Sequence, residues 1–132
     1  TLPVIAGNVS LYNESAKGAI PPSPMISCLG VLPDVESSIT YDLKQKDSLL
    51  ILVGDRKDEC GGSVYYQLMN HLGSKLPQPD LSQLNNQLAA VSTAIQSGLV
   101  LAAHDISEGG VAVALAEMSF RNEIGLKVII ES

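Results

Sequence analysis

The sequence predicts an α+β (mixed α/β) fold, and three observations carry that prediction. Ser48-Leu49-Leu50-Ile51-Leu52-Val53-Gly54 is an unbroken apolar run of strand length, the pattern of a strand buried on both faces. Leu81, Leu84, Leu88, Val91 and Ile95 step by three and four residues, which places them on one stripe of a helix. Polar, glycine-bearing loops (7–14, 55–63 and 104–110) follow apolar runs, as loops do at the ends of strands in layered α/β folds. With 132 residues, 45% of them hydrophobic, the chain has the size of one ordinary domain and enough apolar side chain for a core. Aromatic residues are only 4% and tryptophan is absent, so that core is aliphatic.

Residues 3–13 read as a strand that runs into a loop. In the following stretch, 17–24, Pro21, Pro22 and Pro24 exclude both a helix and a central strand, so it reads as an extended connector at a domain boundary. Residues 25–32 read as a strand closed by Pro33-Asp34, and 37–41 as a second, short one. After the central run at 48–54 comes a polar loop, then a helix over about 63–72 that Gly73 stops. Pro77-Gln78-Pro79 precedes Asp80, a good N-cap for the amphipathic helix, and Gly98 stands just past that helix's end. A short buried strand is expected at 99–103, a helix buried on several sides at 111–119, and a last strand at 126–131. A chain that opens and stops inside strands reads as a piece of a larger protein.

The charge balance narrows the function classes. Net charge is −6 and no basic cluster exists, which argues against nonspecific binding to nucleic acid or to an anionic membrane surface. Phosphate ligands stay open, because backbone amides and metal ions hold phosphate without a basic surface. No apolar stretch approaches the roughly 20 residues of a membrane helix, and no signal-peptide pattern is present. Cys28 and Cys60 fit no metal-ligand spacing, so free thiols in a reducing compartment are expected.

The run Gly7-Asn8-Val9-Ser10-Leu11-Tyr12-Asn13-Glu14 holds the leading site candidates. In a strand, Asn8, Ser10 and Tyr12 share one side while Val9 and Leu11 share the other. Gly7, without a side chain, lets another group approach where the polar face begins. The ordinary reading is a half-exposed strand entering a loop. The functional reading presents an amide and a hydroxyl to a ligand.

The other two loops are open in the same way. Ser107 is placed to cap the helix that follows, or to help its N-terminus hold an anion. Asp105 is suited to a hard metal ion, although His104 and Asp105 serve equally well to satisfy local backbone groups. Asp58 and Glu59 precede a helix, where carboxylates favour the positive end of its dipole. Cys60, near the same helix start, reads first as a small buried side chain and second as a reactive thiol. His71 is expected to face solvent. Neither a Walker A loop nor a GxGxxG turn occurs.

Four motifs occur in order: the run from Gly7 to Glu14, Ala19-Ile20-Pro21-Pro22-Ser23-Pro24, Lys57-Asp58-Glu59-Cys60-Gly61-Gly62-Ser63, and Ala103-His104-Asp105-Ile106-Ser107-Glu108-Gly109-Gly110. Together they resemble the small-type phosphoribosylformylglycinamidine synthase family of the aminoimidazole ribonucleotide synthetase-like superfamily, over essentially the whole chain. The resemblance implies that 1–16 end an N-terminal-type subdomain for ATP and substrate. It makes 17–24 the connector and 25–132 a partial C-terminal-type subdomain with ferredoxin-like character. A partial sheet would leave open edges, which invite a homodimer.

The implied reaction is ATP-dependent amidation of formylglycinamide ribonucleotide. ATP phosphorylates the amide oxygen, and glutamine-derived ammonia displaces phosphate from the iminophosphate. The implied cofactors are ATP and Mg2+, the implied partners a glutaminase subunit and a small accessory subunit, and the implied compartment the cytoplasm. Gly7 matches the family's ATP-contacting glycine, Asn8 a magnesium ligand and Ser10 a residue on the ribonucleotide. No catalytic residue of the family falls within these 132 residues. Asp105 stands where a related loop of the family's first half carries a metal-binding aspartate, and its own role stays open. Cys60 replaces a usual leucine and Ser27-Cys28 a small-apolar pair. Two alternatives remain: a non-catalytic nucleotide-binding or dimerising module, or another ATP-dependent member of the superfamily. The run at Gly7 argues against the last.

Overall fold

A computed structural model describes residues 2–9 and 11–129. The chain divides into two units, Thr1–Val31 and Leu32–Ser132. In the first, β1 (Glu14–Ser15) and β2 (Gly18–Ala19) form an antiparallel hairpin with Glu14 opposite Ala19 and Ser15 opposite Gly18. The two-residue turn Ala16-Lys17 closes it, and Gly18 supplies a left-handed φ of 118°. Ser15 ties the turn twice: its Oγ accepts from the Lys17 amide and donates to the Gly18 carbonyl, each at 3.2 Å.

In the second unit a 3-10 turn, Val35–Ser37, is capped by the Asp34 carboxylate, which accepts from the Glu36 amide at 3.0 Å. Helix α1 (Val64–Leu68) starts at Ser63, whose Oγ accepts from the Tyr66 amide at 3.2 Å. It ends earlier than Gly73. Asn70 takes the left-handed position (φ 53°), its amide donates to the Gln67 carbonyl, and the His71 amide donates to the Tyr66 carbonyl at 2.8 Å. That pair of bonds is a Schellman end, and asparagine tolerates the left-handed backbone it needs.

Helix α2 (Leu81–Gln96) follows the sequence closely. The Asp80 carboxylate accepts from the Ser82 amide at 2.9 Å and from the Ser82 hydroxyl at 2.6 Å. Both bonds hold its pKa below the usual carboxylate value. At the far end Gly98 adopts φ 69°, and the Leu99 amide reaches back to the Ala94 carbonyl at 3.1 Å. Helix α3 (Gly110–Ser119) starts after Gly109 at φ 86° with no side-chain cap. The expected capping by the Ser107 side chain is therefore corrected: its backbone carbonyl accepts from the Gly110 amide at 3.2 Å.

The core of this unit is small and aliphatic: Leu43, Ala114 and Met118 are buried, and the Leu43 amide donates to the Met118 carbonyl at 2.9 Å. The segment around Leu43 thus packs along α3. A single further bond, from the Ala103 amide to the Thr40 carbonyl at 3.3 Å, brings the expected strand at 99–103 to its edge.

Mixed helix and sheet is present, but the sheet is much smaller than expected. Among the described residues no strand is assigned at 3–13, 25–32, 37–41, 48–54, 99–103 or 126–129, and Ile130 and Glu131 lie outside them. Leu49 and Ile51 are largely exposed instead of forming a central strand. The reason lies in the ladder itself. A helix satisfies its backbone within one segment, whereas an apolar run becomes a central strand only with a hydrogen-bonded neighbour on each side.

Candidate functional site

The candidate residues fall into three places. Gly7 and Asn8 lie exposed in the first unit, on backbone with no assigned element, while Ser10 lies outside the described residues. A Cβ added at Gly7 would meet nothing within 4 Å among the described residues, so none of them fills the open side of this glycine. Magnesium takes oxygen ligands and is commonly held by one or two carboxylates together with phosphates. The Asn8 amide oxygen suits one such position. Among the described residues, however, no group of three or more acidic, histidine or cysteine side chains gathers to hold a metal ion. These residues do not make a magnesium site by themselves.

The second place is the loop at 57–63, which lies against 72–78. The Gly61 amide donates to the Lys75 carbonyl and the Gly62 amide to the Leu72 carbonyl, both at 2.7 Å. Lys57 Nζ donates to the Gln78 carbonyl at 3.0 Å, and Glu59 Oε2 accepts from the Gln78 amide at 2.9 Å. Lys75 pairs with Asp58 at 3.1 Å in full view of solvent. An open cleft of about 490 Å³ runs between the two stretches. Its charged groups are already engaged by the chain, so it offers no convergent cation for a phosphate. Cys60 is half-buried here, and both cysteines are free thiols. His71 is exposed as expected, with its ring edge-on to Tyr66 at 4.8 Å.

The third place is the loop at 104–110. His104 is 15% exposed, with Nε2 2.9 Å from Glu117 Oε2 on α3 and Nδ1 3.2 Å from Asp105 Oδ1. Its ring also lies 5.2 Å from that of Tyr41. Both ring nitrogens therefore face carboxylates, and not the local backbone groups of the structural alternative. Asp105 itself is exposed, with no other acidic group gathered around it to complete a metal site among the described residues.

Glu117 is a partner that the spacing of motifs does not reveal. The signal for it is present all the same, as the one charged residue in the apolar stretch Val111–Ser119. Asp42 carries no such signal. Its carboxylate, 4% exposed, accepts from the Thr40 hydroxyl at 2.6 Å and from Asn122 Nδ2 at 2.8 Å, and it pairs with Lys44. The Lys44 ammonium first and the Thr40 hydroxyl second hold its pKa well below the usual carboxylate range. Asn122 Nδ2 also donates to the Leu43 carbonyl at 2.7 Å, so the cluster fastens the segment around Leu43 to the end of α3.

Comparison with known proteins gives the frame for these places. The family model for the AIR synthase related protein, C-terminal domain, matches residues 45–132. A phosphoribosylformylglycinamidine synthase subunit PurL of Methanothrix thermoacetophila is 40% identical over 128 residues, covering 96% of this chain and 17% of the relative. Subunits of the same name from Thermoanaerobacter sp. strain X514 and Thermoanaerobacter pseudethanolicus are each 39% identical over 132 residues, 99% of this chain and 18% of theirs. The chain thus spans less than a fifth of the length of the curated relatives it matches. No solved structure gives a significant match. Since the family model takes in the helices α1, α2 and α3 and the loops at 57–63 and 104–110, the chain belongs to the AIR synthase related protein family, through its C-terminal domain.

Proposed function

We propose that this chain is a segment of the ligase that converts formylglycinamide ribonucleotide, ATP and glutamine-derived ammonia into formylglycinamidine ribonucleotide. The observation that carries the reading is the 39–40% identity, along nearly the whole chain, to subunits named for that synthase. In this reading residues 1–16 end a subdomain for ATP and substrate, 17–24 connect, and 25–132 belong to a C-terminal-type subdomain with ferredoxin-like character. Gly7 faces ATP, Asn8 supplies one oxygen to Mg2+, and Ser10 contacts the ribonucleotide. The open side of Gly7 supports this, because it leaves room for a group from outside the described residues. The glutaminase and small accessory subunits are the partners, and the setting is cytoplasmic. No helix among the described residues is long and apolar enough to cross a membrane.

A segment exchange tests the reading. The matching 128 residues of the Methanothrix relative would be replaced by this chain, and phosphate release measured with ammonia, ATP and formylglycinamide ribonucleotide. The expected result is substrate-dependent release, with Asn8→Ala raising the magnesium requirement on the order of 10-fold or more. A soluble, folded chimera that releases no phosphate refutes the reading, and unchanged magnesium dependence removes Asn8 from the metal. One observation favours inert behaviour for the isolated chain: Gly7 and Asn8 lie exposed with no acidic cluster beside them among the described residues. Titration with magnesium-ADP is then expected to give no binding heat.

A further inference from the structure

We draw no further inference here: the strongest candidate, the apolar stripe of Leu81, Leu84 and Leu88 along the exposed side of α2, carries nothing because nothing in the structure shows what covers it.

Discussion

Gly61→Ala is the sharpest test of how the loop at 57–63 is held. A Cβ at Gly61 would lie 2.6 Å from the Lys75 carbonyl oxygen, 2.8 Å from its carbon and 3.1 Å from its nitrogen. All three are backbone atoms, so no side chain can swing aside. Room for the methyl comes only from parting the two stretches, which also breaks the 2.7 Å bond from the Gly61 amide. Overpacking of this kind costs about 1–3 kcal/mol and a lost hydrogen bond about 0.5–1.5 kcal/mol. Against that, alanine restricts the unfolded chain and returns about 0.4–1 kcal/mol. The net expectation is a loss of about 0.5–4 kcal/mol, read as a lower urea midpoint at unchanged m-value. Gly125→Ala is the control, since a Cβ there would meet nothing within 4 Å. It should leave the midpoint unchanged or slightly raised. If Gly61→Ala is as stable as the unaltered chain, with its amide still protected from exchange, the close approach does not govern this loop.

Other expectations follow from the same geometry. Met118→Ala removes a buried side chain from the core it forms with Leu43 and Ala114 and should cost about 2–4 kcal/mol in urea unfolding; a change under about 0.5 kcal/mol would show that this core contributes little. Because the folded pKa of Asp42 is depressed, its contribution to stability is complete above the unfolded carboxyl value, about 3.9, and is lost as pH falls below it. Asp42→Asn should therefore flatten the acid limb of a plot of urea midpoint against pH, and an identical limb in both proteins would contradict the assignment. Glu117→Ala should shift the His104 Nε2 resonance in NMR while changing stability by no more than about 1 kcal/mol, since Glu117 is half exposed. An unmoved resonance would place the partner of Nε2 elsewhere.

The parts of this fold that sequence predicts well are those whose hydrogen bonds close locally. Helix α2 is marked by its own stripe, by Asp80 at one end and by Gly98 at the other, and all three signals lie within the segment they describe. The end of α1 is less legible in the sequence because two residues compete for the left-handed position. Gly73 is the obvious choice, yet Asn70 comes first in the chain and closes the helix. Apolar runs predict strands at 48–54 and 99–103, but hydrophobicity describes a segment's preference for burial and not the neighbour it needs. The cluster at Asp42 was invisible for a related reason. Asn122 stands 80 positions away, and no periodicity links residues at that distance.

The glycines in the family-like motifs separate by what surrounds them. A Cβ at Gly61 would strike the backbone of Lys75, and one at Gly109 would lie 2.4 Å from Val113 Cγ2, so both positions are small because the chain itself comes close. Gly109 also needs a left-handed φ of 86°. Their absence of side chains is thus accounted for by packing and backbone geometry, with no ligand required. Gly7 has neither reason: its φ is not left-handed, and none of the described residues lies within 4 Å of where its Cβ would be. Gly30 and Gly125 share both properties, and a position of this kind accepts alanine without steric cost. Of the three polar-glycine loops, the run at Gly7 is therefore the one whose glycine is left unexplained by packing or backbone geometry, which leaves it open to the bound group proposed for Gly7, Asn8 and Ser10.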